Sequence, residues 1–252
     1  MIFYGKTSRT KKAIWICLTL MVIGSSCGLF LWLKSHHSPQ LFGRCIHRIS
    51  TSEKIIALTF DDGPSVYTEE ILNILRVNNT QATFFLLGKH AEQFPNLIQQ
   101  IYKEGHDIGN HSYSHESLIF KSLAFIRKEI EVTDQIIKQS GYEGTIHFRA
   151  PYGRKLIGLP WILYKSNRPH ILFDVVSNDW ASPGVSVIVH HVLTQVKPGS
   201  IILCHDGNGD NMGQDRSQTV QAIPIIIQKL KANGYRFVTI SELLKDEKSN
   251  SL

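Results

Sequence analysis

From Glu53 onward, short apolar segments alternate along the chain with longer amphipathic ones. The short segments are rich in Ile, Val, Leu and Phe and predict buried β-strands, while the longer ones have the three-to-four-residue spacing of helices. The predicted strands are 55–60, 82–87, 106–109, 146–149, 171–176, 200–204 and 236–239, and the predicted helices are 68–78, 95–104, 117–139, 185–196 and 219–232.

This alternation predicts one α/β domain with a parallel sheet, built either as an open layered sheet or as a short barrel. In both architectures, ligands bind beyond the C-terminal ends of the strands. Polar residues that directly follow a predicted strand are therefore the candidates for function.

A second pattern lies before the domain, where residues 13–33 form a run of 21 uncharged and mostly apolar residues. As a helix this run would extend for about 30 Å, the thickness of the hydrocarbon layer of a bilayer. Trp15 and Trp32 lie near its two ends, and the basic pair Lys11 and Lys12 precedes it. These features predict a single-pass anchor in the cell membrane, with the N-terminus in the cytoplasm and the domain outside.

Two other interpretations of the apolar run remain open, namely a cleaved signal peptide that ends near Gly24 and a lipoprotein signal that uses Cys27. All three interpretations export the rest of the chain. The predicted organisation is a basic cytoplasmic segment 1–12, a transmembrane anchor 13–33, a linker 34–52, a folded domain 53–246 and a polar tail 247–252.

The charge of the chain follows the same division. The formal net charge is +6, but the first 52 residues contain seven of the 27 Lys and Arg residues and no acidic residue. The rest of the chain is therefore nearly neutral, which argues against nucleic acid as a partner. No protein partner can be inferred. With 42% hydrophobic and 19% charged residues, the composition excludes a disordered chain, and the four cysteines form no disulfide framework.

The first predicted strand leads into the sequence Thr-Phe-Asp-Asp-Gly-Pro, which ends in the adjacent acids Asp61 and Asp62. Two neighbouring carboxylates repel each other unless a cation or a hydrogen-bond donor lies between them. An acidic turn in which Asp62 caps a helix is the simpler interpretation of this segment on its own.

After the third strand, His111 and His115 are spaced four residues apart, which is one helical turn and predicts that both imidazoles lie on one face. Two histidines and one carboxylate form the ligand set of a catalytic metal site that keeps positions open for water and substrate. Asp62 would supply the carboxylate. Taken alone, a histidine pair of this kind more often consists of two surface residues.

Three further strands end in polar or aromatic residues. The residues concerned are Arg149 and Tyr152 after the fourth strand, Asp179 and Trp180 after the fifth, and Leu203 and His205 at the end of the sixth. Arg149 could be a structural ion-pair partner, and the two aromatic residues could belong to the core. Because all these segments share one topological position, however, they indicate a single site.

Together the segments TFDDGP, HSxxH, RxPYG, SxDW and LxH, with the segment 198–244, resemble the polysaccharide deacetylases of carbohydrate esterase family four. The resemblance implies a distorted (β/α)7 barrel that uses a divalent metal to remove acetyl groups from an amino sugar polymer. It covers the predicted domain and does not extend to residues 1–52. The fourth motif of the family often carries an Asp three residues before its Asp-Trp pair, where this chain has Val176.

The resemblance gives each residue a role that the chemistry of acetamide hydrolysis supports. Asp62, His111 and His115 would hold the metal, expected to be zinc, with cobalt, nickel and manganese as alternatives. Asp61 would act as the general base, and Arg149 would help to keep it ionised.

The remaining roles concern the leaving group and the acetyl group. His205 would donate a proton to the leaving nitrogen, and Asp179 would favour the charged form of His205. The backbone N–H of Tyr152 would stabilise the oxyanion together with the metal. Trp180 and Leu203 would line a pocket for the acetyl methyl group.

Three functions are therefore compared. The first is a metal-dependent N-deacetylase of an N-acetylated glycan, for which an anchor close to the membrane favours peptidoglycan over chitin. The second is an O-acetyl xylan esterase or an amidase on the same scaffold. The third is a membrane-tethered glycan-binding protein without turnover, which the presence of both an Asp base and a His acid disfavours.

Overall fold

The computed structural model describes residues 6–33, 40–209 and 213–249. The chain divides into a unit of residues 1–39 and a unit of residues 40–252. In the first unit, helix α1 (Lys6–Leu33) contains no acidic residue in its first turn, and its large apolar side chains between Ile14 and Ile23 are exposed. Among the described residues, no helix has the length and hydropathy needed to cross a membrane.

The second unit contains a sheet in which all paired strands are parallel. Its strands are β1 (Cys45–Ile46), β2 (Ile55–Asp61), β3 (Thr83–Leu86), β4 (Asp107–Asn110), β5 (His147–Phe148), β6 (His170–Ile171), β7 (Val175–Val176), β8 (Ile201–His205) and β9 (Arg236–Val238). They are ordered β1-β6-β5-β4-β3-β2-β8-β7, and β9 pairs with the first half of β2.

Helices connect these strands. They are α2 (Thr68–Val77), α3 (Gly88–Ala91), α4 (Pro95–Lys103), α5 (Leu123–Gln139), α6 (Gly158–Lys165), α7 (Val185–Gln195), α8 (Ser217–Ala232) and α9 (Ile240–Ser249), with short 3₁₀ turns at Pro151–Gly153 and Asp179–Ala181. Ser122 caps α5 by accepting a hydrogen bond from the backbone N–H of Phe125.

The sheet must curl, because strands from its two ends are joined by a very short connection. β6 lies near one end of the strand order and β7 at the other, yet only residues 172–174 separate them in the chain. Such a connection spans at most about 14 Å, whereas six strand spacings in a flat sheet would need about 29 Å. The fold is therefore a curled parallel α/β sheet, which confirms the predicted α/β class and is consistent with the distorted (β/α)7 barrel that the resemblance implies.

The central strand β2 shows how the curl places side chains. Ile56, Leu58 and Phe60 pack into the apolar layer between the sheet and the helices, while Ile55 and Ala57 pack into a second cluster inside the curl. Because strand side chains alternate between faces, Thr59 and Asp61 share the inner face with Ile55 and Ala57. The last polar residue of β2 is thus directed into the curl at its C-terminal end.

Most predicted elements occur within two residues of their expected bounds. The helix predicted over 117–139 begins later, at Leu123. Helices α3, α6 and α9 were not predicted; α6 contains Pro160, and α9 overlaps the segment 247–252 that was predicted as a tail, of which residues 250–252 lie outside the described residues.

The strand predicted over 171–176 is instead two short strands, β6 and β7. The carbonyls of Ile171 and Leu172 accept hydrogen bonds from the Arg149 guanidinium, and the Asp174 carboxylate accepts them from Ile201 N–H and the Ser200 hydroxyl. The backbone carbonyls of Ile171 and Leu172 and the N–H of Ile201 therefore bond to side chains here instead of forming a continuous strand ladder.

The segment predicted as a linker, 34–52, also contributes to the sheet. β1 pairs with β6, Arg48 forms an antiparallel bridge with Ser200, and Ile49 is buried. The folded unit thus begins before residue 53, because the apolar residues Ile46 and Ile49 cover the end of the curled sheet. Residues 34–39 of the predicted linker lie outside the described residues.

Candidate functional site

The predicted site residues meet at the C-terminal ends of β2, β4, β5, β7 and β8. Asp61 is the last residue of β2 and pairs in register with His205 of β8. His111 directly follows β4, and Arg149 directly follows β5. The structure therefore brings the separate motifs of the sequence to one edge of the sheet.

Asp62, His111 and His115 form a compact, buried cluster whose three ligand atoms lie within 4.8 Å of one another. Oδ1 of Asp62 lies 3.4 Å from Nε2 of His111 and 3.2 Å from Nε2 of His115. This cluster of histidine and carboxylate ligands is the only one found among the described residues.

The hydrogen bond on the far side of His111 determines what its Nε2 can do. Nδ1 of His111 lies 2.9 Å from the backbone carbonyl of Arg149, and because a carbonyl oxygen only accepts, Nδ1 carries the proton. In the neutral ring, Nε2 then presents a lone pair towards Asp62.

Oδ1 of Asp62 is buried and has no hydrogen-bond partner in the described part of the chain, while Oδ2 accepts the N–H of Gly209. Burial favours a higher pKa for Asp62, but the neighbouring imidazoles of His111 and His115 hold it well below its ordinary value. A carboxylate oxygen and an imidazole lone pair that converge without a donor between them fit a divalent cation.

The two histidines converge through a loop and not through a helix, so the predicted helical spacing of His111 and His115 is wrong. Ser112 and His115 have φ of 73° and 64°, in the left-handed region. The Glu129 carboxylate accepts hydrogen bonds from the N–H groups of Tyr113 and Ser114, which holds this loop against α5.

The position of Gly209 depends on the absence of a side chain. A Cβ atom there would lie 2.4 Å from Nδ1 of His115. Because glycine alone fits this gap, its N–H can approach Asp62 and contribute to fixing the carboxylate.

Asp61 lies beside this cluster and is oriented by Arg149. Nη1 of Arg149 donates to Oδ1 of Asp61 at 2.6 Å and to the Thr59 hydroxyl at 2.8 Å. The guanidinium is fully buried and lies 4.0 Å from the ring centroid of Phe85. Burial lowers the pKa of Arg149, and the Asp61 charge opposes this effect. Oδ2 of Asp61 lies 3.7 Å from Nε2 of His111, so it faces the cluster.

On the other side of Asp61, His205 is paired with the buried Asp179. Nδ1 of His205 lies 2.7 Å from Oδ1 of Asp179, and the other oxygen of Asp179 accepts the His205 N–H at 2.8 Å. Ser177 and Thr219 also donate to this carboxylate. Burial favours a lower pKa for His205, but the charge and hydrogen bond of Asp179 outweigh it and raise the pKa to about 9.

The remaining predicted residues occupy two sides of the opening. Tyr152 is 53% exposed, its backbone φ is 60°, and its ring centroid lies 4.6 Å from that of His115. Trp180 is 43% exposed, and its ring meets the His205 ring edge-on with the centroids 5.7 Å apart. Leu203 is buried in the inner apolar cluster, two residues before His205. The roles assigned to these three residues stay predictions.

Several supporting residues were not identified from the sequence. Nδ1 of His90 donates to the backbone carbonyl of Asp62 at 2.7 Å. Thr59 accepts a hydrogen bond from Arg149, while Glu129 and Thr219 hold the histidine loop and Asp179 through the contacts given above. Only Thr59 had a usable signal, since it lies two residues before Asp61 on the same face of one strand.

Comparisons with known proteins agree with this site. A family model described as polysaccharide deacetylase matches residues 48–159. A peptidoglycan-N-acetylglucosamine deacetylase of Bacillus cereus is 38% identical over 209 residues, which cover 78% of this chain and 91% of that protein. A chitooligosaccharide deacetylase of Sinorhizobium fredii is 33% identical over 199 residues, which cover 76% of this chain and 93% of that protein.

Solved structures give the same result. The crystal structure of a peptidoglycan N-acetylglucosamine deacetylase in complex with a naphthalenyl N-oxidanyl-benzamide aligns with a TM-score of 0.74 at 36% identity. The alignment covers 78% of this chain and 91% of that one. Sequence and fold therefore relate more than three quarters of this chain, and not one motif alone, to these proteins.

Proposed function

This chain belongs to the polysaccharide deacetylase family, and on that basis we propose that it removes N-acetyl groups from peptidoglycan, ahead of a chitin-like glycan. The observation that carries this function is the placement of Asp61 between two different histidine sites. On one side are the lone-pair ligands Asp62 and His111, and on the other is the charged donor His205.

A divalent metal would be held by Asp62, His111 and His115, and zinc suits two imidazoles and one carboxylate, with cobalt, nickel and manganese as alternatives. When bound, the metal supplies a water of lowered pKa and polarises the acetyl carbonyl. The protein's part is to keep His111 in the Nδ1–H tautomer through the Arg149 carbonyl.

Asp61 is the general base of this mechanism. Its Oδ1 is engaged by Arg149, so Oδ2, which faces His111, is the oxygen that takes a proton from the attacking water. Arg149 thereby fixes the direction of Oδ2.

His205 is the general acid. With a pKa of about 9 it is protonated at neutral pH, and its Nδ1–H donates to Asp179, which leaves Nε2–H to protonate the departing amine. The backbone N–H of Tyr152 stabilises the oxyanion, and Trp180 and Leu203 line the acetyl methyl pocket. The exposure of Trp180 beside His205 supports this arrangement.

Mass spectrometry of glycans treated with the purified full-length protein and added metal tests this function. We expect losses of single acetyl groups from the N-acetyl sugars of peptidoglycan and no release from O-acetylated xylan. Acetate release from the xylan alone would instead identify an O-acetyl esterase.

We also propose that residues 13–33 anchor the protein in the cell membrane, with the folded unit outside the cytoplasm. The proposal is supported by the 21 uncharged residues of this run and by the basic residues before it. A reporter fused after Leu252 is expected to be active only outside the cytoplasm, and the protein should stay in membranes after a carbonate wash. A soluble exported form that begins near Cys27 would contradict the anchor and favour cleavage.

A further inference from the structure

Arg154 is a cation at the edge of the site that no carboxylate neutralises in the described part of the chain. Its side chain is exposed, and its guanidinium carbon lies 5.2 Å from the centroid of the Tyr152 ring. Other guanidinium groups are engaged differently, since Arg168 pairs with Asp134 and Arg236 pairs with Glu242. Arg154 therefore retains its capacity to bind an anion.

The backbone holds Arg154 in a defined place. It directly follows the 3₁₀ turn Pro151–Gly153, and its N–H donates to the Pro151 carbonyl at 3.2 Å. The Tyr152 ring beneath the guanidinium contributes a favourable cation–π contact. A cation restrained in this way loses less conformational entropy on binding than a freely rotating side chain does.

This position is directly beside the reaction centre. The Tyr152 ring is near both residues, since its centroid lies 5.2 Å from the Arg154 guanidinium carbon and 4.6 Å from the centroid of the His115 ring. Among the described contacts Arg154 pairs with neither carboxylate of the centre, since Asp61 pairs with Arg149 and Asp62 lies against the two histidines. Arg154 is therefore accessible to an anionic group of a substrate at this edge of the site.

We infer that Arg154 binds a carboxylate of the substrate and thereby selects acidic glycans. Peptidoglycan carries carboxylates on its peptide stems, whereas chitin carries none. The planar guanidinium suits a carboxylate through paired N–H donors. The inference rests on the proposed function and identifies the residue that distinguishes the two glycan classes.

The test compares two forms of one substrate. A peptidoglycan fragment with its peptide stems is prepared unmodified and with its carboxyl groups converted to methylamides, and acetate release is measured for each. The variants are Arg154→Gln, Arg154→Lys and the control Arg236→Gln. Arg236 is an exposed arginine near the N-terminal ends of the strands, away from the site at their C-terminal ends, since it pairs in register with Ile55 at the start of β2.

For Arg154→Gln we expect KM for the unmodified fragment to rise about 3- to 10-fold with little change in kcat, as for the loss of an exposed charge pair. KM for the amidated fragment should be unchanged. The difference should shrink at about 1 M salt, where the Debye length is about 3 Å. Arg154→Lys should restore part of the affinity, and Arg236→Gln should behave as wild type.

Equal losses on the two fragments would show that Arg154 only supports Tyr152, and unchanged KM on both would show that it binds no carboxylate. Either result overturns the inference while the proposed function stands. If the wild-type protein releases acetate from neither fragment, the proposed peptidoglycan substrate fails, and the inference fails with it.

Discussion

His111 and His205 lie on opposite sides of Asp61, and their Nδ1 atoms have different partners. His111 donates to a neutral backbone carbonyl, while His205 faces the carboxylate of Asp179. A carbonyl fixes the tautomer without favouring a positive charge, so the first ring is suited to ligate a metal. A carboxylate stabilises the imidazolium, so the second ring is suited to donate a proton. The partner of one nitrogen thus determines the chemistry of the other.

The largest expected effect comes from removing the ligand side of this comparison. Asp62→Ala or His111→Ala should abolish metal binding and acetate release together, because too few ligands would remain. Elemental analysis of the purified variants measures this directly. Metal content equal to that of the wild-type protein would show that these residues do not hold the metal.

The next effect separates the two adjacent carboxylates. Asp61→Asn keeps the shape but removes the base, so kcat should fall by about 10²- to 10⁴-fold while metal content is unchanged. Asp62→Asn should instead weaken metal binding, and excess metal should restore part of its activity. If Asp61→Asn loses the metal and Asp62→Asn keeps it, the two roles are exchanged.

A smaller effect is expected when the charged partner of His205 is replaced by a neutral one, so that its Nδ1 has a neutral partner as that of His111 does. Asp179→Asn removes the charge that raises the pKa of His205 to about 9 from 6.5. His205 would then lose its proton at a lower pH, so the alkaline limb of the pH profile of kcat should shift to lower pH. At neutral pH, kcat should fall about 10- to 100-fold.

The same shift affects stability. Because the folded pKa of His205 lies above its ordinary 6.5, its pairing with Asp179 stabilises the protein fully below pH 6.5, and this contribution is lost as the pH rises through about 9.

The matched control for the kinetic measurement is Thr219→Val, which removes a neutral donor to Asp179 and should leave the alkaline limb of the kcat profile near its wild-type position. If the alkaline limb of Asp179→Asn lies at the same pH as that of the wild-type protein, His205 is not the group that donates the proton.

The smallest effect concerns the loop that carries the ligand histidines. Glu129→Gln removes the charge that holds the N–H groups of Tyr113 and Ser114, so metal affinity should fall about 10-fold. Glu131→Gln, an exposed position of the same helix, is the control and should not change affinity. A competition titration with a chelating dye measures the metal affinity of both variants. If Glu129→Gln binds the metal as tightly as Glu131→Gln does, Glu129 does not support the site.

The sequence predicts the site better than it predicts the surroundings of the site. Asp61, Asp62, His111 and His205 follow apolar strands, so their convergence follows from the topology of a parallel sheet. The helical placement of His115 was wrong because four-residue spacing has the same appearance in a helix and in a loop with positive φ.

The contacts of Glu129 and Thr219 had no sequence signal, because each side chain reaches its partner across the fold. β1 was missed for a related reason. Its two residues gain their strand conformation by pairing with β6, more than 120 positions further along the chain. Local patterns do not contain such distant pairings.

The link between β6 and β7 has a consequence for when the protein becomes reactive. The Ile171 and Leu172 carbonyls, at the closure of the curled sheet, are bound by the same guanidinium that orients Asp61. A chain in which this part of the sheet is still open lacks two of the four acceptors that hold Arg149 in place. We therefore expect closure of the sheet and orientation of the Asp61 carboxylate to be coupled through this one guanidinium.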